Sequence, residues 1–137
     1  MDNSRVKGLY YKYFDEPVVL TCNVQLRGSN YIYEGEVNEA SKPHGIGLMI
    51  TDSNNIYYGN FRCGKKEGNG AMIYPNGRIY IGEWLRAQRH GNGTTCNRAG
   101  EVISYNRFYK GKKIPNPPSS PLMENLSFSS MPTLLDE

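Results

Sequence analysis

His44 and His90 each stand directly before the first glycine of a Gly-x-Gly run, in His44-Gly45-Ile46-Gly47 and His90-Gly91-Asn92-Gly93. An imidazole next to a glycine loop suits general acid or base work. The middle copy of the slot is Glu67, in Glu67-Gly68-Asn69-Gly70, so the position takes a polar turn residue rather than a dedicated base. Gly64-Lys65-Lys66 ahead of Gly68 and Gly70 invites comparison with a phosphate-cradling loop. That loop needs Gly-x-x-x-x-Gly-Lys-Ser/Thr between a strand and a helix, and no Lys-Ser/Thr pair or helical pattern follows Gly70. Glu34, Glu36 and Glu83 could be read as an acid pair for glycoside hydrolysis, but carboxylates on the outer face of a sheet are ordinarily just solvated. Cys22, Cys63 and Cys96 form no Cys-x-x-Cys pair and are odd in number, which argues against a disulfide framework or a zinc site. No catalytic residue, cofactor or metal is expected.

The elements that carry these residues recur. Gly45, Gly68 and Gly91 are 23 apart, as are Gly47, Gly70 and Gly93. Tyr57-Tyr58-Gly59-Asn60-Phe61 returns 23 residues later as Tyr80-Ile81-Gly82-Glu83-Trp84, and Tyr33-Glu34-Gly35-Glu36-Val37 precedes it by 24. A fixed period of this length is the mark of a repeat architecture.

The unit Tyr-x-Gly-x-aromatic, followed by Gly-x-Gly, a short second strand and an Asn-Gly turn, resembles the MORN (membrane occupation and recognition nexus) repeat. The resemblance is specific over residues 33 to 100 and implies an all-β, single-layer, curled antiparallel meander of β-hairpins. Units are expected at 33–56, 57–79 and 80–102. A degenerate first unit is expected at 10–32, with Tyr10-Tyr11-Lys12-Tyr13-Phe14 as its opening strand and Cys22 and Val24 in the glycine slots. A closing strand is expected at 103–113, and residues 1–9 form an N-terminal extension. Members of this family work at membranes or as protein-binding platforms, and some dimerise.

Alternation within a strand puts Tyr57, Gly59 and Phe61 on one face and Tyr58, Asn60 and Arg62 on the other. A glycine between two aromatics leaves room for neighbouring rings over the backbone. Second strands are expected at 48–51, 71–74 and 94–97, with Gly68-Asn69-Gly70 and Gly91-Asn92-Gly93 as tight turns. A single sheet must cover its apolar face. The rings of Tyr33, Tyr57, Phe61, Tyr80 and Trp84 therefore pack on one another, or are covered by the tail, a second copy or a partner. The first functional expectation is a scaffold that grips a protein segment in this aromatic groove.

The 16 basic residues all precede residue 114, against 10 of the 13 acidic ones. The excess is concentrated in Arg86, Arg89, Arg107, Lys110, Lys112 and Lys113, interleaved with Phe108 and Tyr109. The alternative expectation is a peripheral module that places these six cations on anionic lipid or an acidic partner. Nucleic acid is set aside, since the excess is modest and nucleic-acid modules do not show this repeat. Residues 114–137 open with a Pro/Ser-rich linker and continue with Leu122, Met123, Leu126, Phe128, Met131, Leu134 and Leu135 in an acidic setting. That tail reads as a cap for the groove, a linear motif or a plain extension. With no secretory signal pattern and no run of about 20 apolar residues, the expected location is cytoplasmic, at a membrane surface or the cytoskeleton.

Overall fold

The computed structural model describes residues 3–16 and 23–115. Helix α1 (Ser4–Phe14) is followed by nine strands: β1 (Val24–Arg27), β2 (Tyr31–Val37), β3 (Pro43–Thr51), β4 (Ile56–Arg62), β5 (Lys65–Ile73), β6 (Ile79–Leu85), β7 (Gln88–Cys96), β8 (Val102–Tyr109) and β9 (Lys112–Ile114). They form one antiparallel sheet in which spatial order is chain order. The meander read from the repeat is thus the observed architecture. Of the expected tail at 114–137, Ile114 ends β9 and residues 116–137 lie outside the described residues, as does the Cys22 slot.

The tight turns are not where the Gly-x-Gly runs suggested. At one end of the sheet they are Cys63-Gly64, Arg86-Ala87 and Lys110-Gly111, with φ of 48° and 91°, 50° and 69°, and 50° and 84°, whereas the Asn76-Gly77 turn falls where the repeat placed it, with the Gly77 amide on the Tyr74 carbonyl (2.8 Å). Positive φ at both central residues is the type I′ hairpin, whose twist matches that of the flanking strands. The Gly-x-Gly runs lie inside the nine-residue strands β5 and β7. There the register slips between Gly59 and Phe61 and between Gly82 and Trp84. The positive φ of Gly68 and Gly91 serves this bulge instead of a turn. The same slip recurs in β2–β3 between Gly35 and Val37, and Glu36 and Glu83 brace their bulges: their carboxylates accept the amides of Ile46 (2.6 Å) and Asn92 (3.1 Å).

Residues 10–14 are also not a strand. They complete α1, with Val6 and Tyr10 fully buried. Only β1 survives of the expected first unit, and Val24 pairs with Gly35 in it. The residues expected as one closing strand form the hairpin β8–β9. Helix α1 lies across β4, β5 and β6 on the face opposite the repeat aromatics. Tyr10 is held there by a bond from its hydroxyl to Glu16 (2.7 Å), a bond from the Asn60 amide (2.9 Å) and edge contact with Tyr58. The sheet therefore has two cores. One is Val6, Tyr10, Leu48, Tyr58, Ala71, Ile79, Ile81 and Cys96 under the helix; the other is the aromatic face itself.

Candidate functional site

On the aromatic face the rings form a zigzag: Tyr33, Phe61, Tyr57, Trp84, Tyr80, Phe108. Each successive pair meets near-perpendicularly at centroid distances of 5.0 to 5.5 Å. This is the edge-to-face geometry that ring quadrupoles prefer. The tyrosine rings lie over paired glycines: a Cβ added at Gly47, Gly70 or Gly93 would overlap the ring of Tyr33, Tyr57 or Tyr80 respectively. Each hydroxyl donates to the carbonyl three residues on, Tyr33 to Glu36 (2.6 Å), Tyr57 to Asn60 (2.8 Å) and Tyr80 to Glu83 (3.3 Å).

The groove expectation rested on rings open to a partner. Tyr33, Tyr57, Phe61, Tyr80 and Trp84 are brought together, but none is more than 5% exposed. Their faces are filled by one another and by cations at equivalent repeat positions. Lys66 lies over Trp84 and Tyr57 (5.3 and 5.7 Å to the centroids), and Arg89 over Phe108 and Tyr80 (4.6 and 5.6 Å). Burial pushes the Lys66 ammonium below its ordinary range. Among the described residues, the rings themselves and these two cations cover the face.

The six basic residues are not one patch. Arg86, Lys110 and Lys112 sit at hairpin turns on one end of the sheet. Arg89 caps the rings, and Lys113 pairs across from Phe108. Arg107 lies next to Tyr105 on the helix side, where both line a groove with Tyr13 and Phe14. The turn end gains residues that the sequence did not single out. Lys42 ends the β2–β3 turn, and Arg62 and Lys65 flank Cys63-Gly64. All of Lys42, Arg62, Lys65, Arg86, Lys110 and Lys112 are exposed.

Backbone bonds tie these four turns side by side. Gly64 donates to the Pro43 carbonyl (2.8 Å), Ala87 to Lys66 (2.9 Å) and Gly111 to Arg89 (2.9 Å). The two histidines take part: His44 Nδ1 accepts the Cys63 amide (3.1 Å) and His90 Nδ1 the Lys110 amide (3.4 Å). Glu39 and Glu67 also lie at this end, and Glu67 is 3.9 Å from Arg62. Successive turns are two strands, about 10 Å, apart, so the edge is a comb with at least one cation per tooth. The signal was present in the sequence as Lys42 and Lys65 at the repeat period and as the turn pair 63-64 recurring at 86-87, but net charge along the chain does not show which turns share an end.

Among the described residues no group of three or more His, Cys, Asp or Glu could hold a metal ion, and no helix is long and apolar enough to cross a membrane. Comparison with curated proteins gives no match. Residues 57–77 and 80–96 each match the family model of the MORN repeat, the two units in which β4–β5 and β6–β7 carry the full aromatic and glycine pattern. With those matches and the same register running through the sheet, the chain is a MORN-repeat protein.

Proposed function

We propose that this protein is a non-catalytic module that docks on an anionic phospholipid surface through the comb of hairpin turns. MORN repeats are in general protein- or membrane-binding modules. The observation that carries the membrane reading is the alignment of Lys42, Arg62, Lys65, Arg86, Lys110 and Lys112 on one edge, fixed by the turn-to-strand bonds. A flat, negatively charged surface meets such a row without rearrangement of the fold, and each Lys or Arg near it contributes about 1 kcal/mol. The peptide-groove reading is weakened, because its five rings are already occupied.

A protein partner, the other reading, is supported by the helix-side surface at β8. Ile103, Tyr105 and Tyr109 are 46%, 69% and 55% exposed there, and exposed tyrosines are typical of protein interfaces.

The test is co-sedimentation with vesicles of phosphatidylcholine, with and without phosphatidic acid or phosphoinositide, at low and physiological salt. The triple variant Arg86→Glu, Lys110→Glu, Lys112→Glu should lose binding by about 100-fold or more, since removing three attractions of about 1 kcal/mol already gives that factor. Tyr105→Ala should leave it unchanged. Equal binding of the triple variant and the natural protein would refute the comb as the docking surface.

A further inference from the structure

The ring ladder stops one rung early, and the place where it stops is polar. In register, Ser104, Asn106 and Phe108 stand opposite Thr95, Gly93 and Gly91 of β7. Tyr80, Gly82 and Trp84 stand in the same relation to Met72, Gly70 and Gly68 of β5. The aromatic at the third position is kept as Phe108. The ladder tyrosine has become Ser104, its glycine Asn106, and the facing methionine Thr95.

A cavity of about 280 Å³ opens there, bounded by the side chains that replace the rung, by Tyr74, Tyr80 and Phe108, and by Arg78, Arg89 and Lys113. Asn76, the remaining residue bordering it, is also polar, and no carboxylate lines the cavity. Three cations converge where the preceding units are filled by an apolar ring. Arg89 keeps its guanidinium against Phe108 and Tyr80, leaving its N–H edges for a ligand; the Ser104 hydroxyl donates to Asn106 Oδ1 (3.0 Å), so the amide N–H groups of Asn76 and Asn106 and the Thr95 hydroxyl are the further donors on the lining.

We infer that this cavity is a binding site for a small phosphate monoester, with Arg78, Arg89 and Lys113 on the phosphate and Tyr80 and Phe108 against the group that bears it. Charge-assisted bonds from guanidinium and ammonium groups are what a phosphate dianion requires. The volume, just below that of small-molecule sites of about 300–1,000 Å³, admits one phosphorylated ring but not an extended chain. The site does not depend on the turn comb, because none of the six comb residues lines it.

Phenyl phosphate and inorganic phosphate are titrated into the full chain, followed by calorimetry and by the fluorescence of Trp84, whose ring touches Tyr80. Saturable binding of phenyl phosphate is expected, tighter than that of inorganic phosphate. Two sets of variants test the assignment. Ser104→Tyr with Asn106→Gly rebuilds the rung, and should abolish binding with no loss of thermal stability. Arg78→Ala with Lys113→Ala alters two exposed side chains, and should weaken binding by about tenfold or more. The comb variant Arg86→Glu, Lys110→Glu, Lys112→Glu should bind phenyl phosphate as the natural protein does.

Vesicle sedimentation of the rebuilt-rung variant identifies the source of the phosphate. Loss of binding to phosphatidic acid vesicles assigns the site to a lipid headgroup, and retention assigns it to a soluble ester. No saturable signal with either phosphate, or unchanged affinity in the Arg78/Lys113 variant, overturns the inference.

Discussion

Ala87 occupies a conformation that suits it poorly. Its φ is 69°, at the turn position that Gly64 and Gly111 fill in the neighbouring hairpins. The left-handed region costs an L-residue about 1–2 kcal/mol, of which glycine recovers all but the entropy of its freer unfolded chain. Ala87→Gly should therefore stabilise the protein by about 0.5–1 kcal/mol, seen as a higher midpoint in urea. Gly70→Ala goes the other way, because its Cβ would overlap the Tyr57 ring and crowd the paired strand. A loss of about 2–3 kcal/mol, as for overpacking in a core, is expected from the same titration. At this scale the sequence was informative. The alternation Tyr-x-Gly-x-aromatic identified which residues share a face and why glycine separates them. It could not say whether the rings close on one another, since that depends on the register of strands 12 or more residues apart. Five expected anchors thus became a buried spine.

Helix α1 shows how a repeat pattern can mislead at the level of an element. Tyr10-Tyr11-Lys12-Tyr13-Phe14 looks like an aromatic first strand, and it stands where one more unit would begin. Yet Val6, Tyr10 and Phe14 are four apart, and this spacing places one stripe on a helix. Local propensity gave little support, since Gly8 sits mid-helix and the N-cap residue Asn3 makes no side-chain capping bond. Packing decides: Tyr10 is 0% exposed and wedged against Tyr58, Tyr11 and Phe14. Tyr10→Ala should cost about 3–5 kcal/mol, as deletion of a buried aromatic does, and should release the Tyr58 ring to solvent. A Cβ at Gly8 would meet nothing within 4 Å, so Gly8→Ala should return about 0.5–1 kcal/mol. Thermal melts of both variants, read by circular dichroism, check the pair. A silent Tyr10→Ala would mean that the helix is not part of the cooperative unit. The same helix explains why the Tyr58 face, which alternation alone assigns to solvent, is half of the core.

Across the whole molecule the tyrosines make the fold sensitive to alkali. Burial holds the hydroxyls of Tyr10, Tyr33, Tyr57, Tyr58, Tyr74 and Tyr80 above their ordinary 10.0, and the Glu16 carboxylate adds to the effect at Tyr10. The ladder hydroxyls also need their protons, because each donates to a backbone carbonyl. Folded values above unfolded ones mean that, as pH rises past 10, the unfolded chain loses protons which the native state retains. Stability contributed by these groups is complete below pH 10 and declines above it, each tyrosine steepening the fall by about 1.4 kcal/mol per pH unit. Lys66 acts in the opposite sense. Its folded value lies below its unfolded 10.5, so its penalty shrinks as pH rises through that range, but one lysine opposes six tyrosines. The protein should hold its structure to about pH 10 and then unfold cooperatively within about one to two units. The share of tyrosinate absorbance that comes from the six buried hydroxyls should appear together with the loss of the sheet's circular dichroism, since those hydroxyls can ionise only when the fold opens, whereas exposed Tyr105 and Tyr109 ionise without it. Ionisation of the full set of tyrosines near pH 10, with the sheet signal intact, would show that the ladder is open to water in solution. The aromatic face would then be a groove after all, and the binding role set aside here for its five rings would have to be restored.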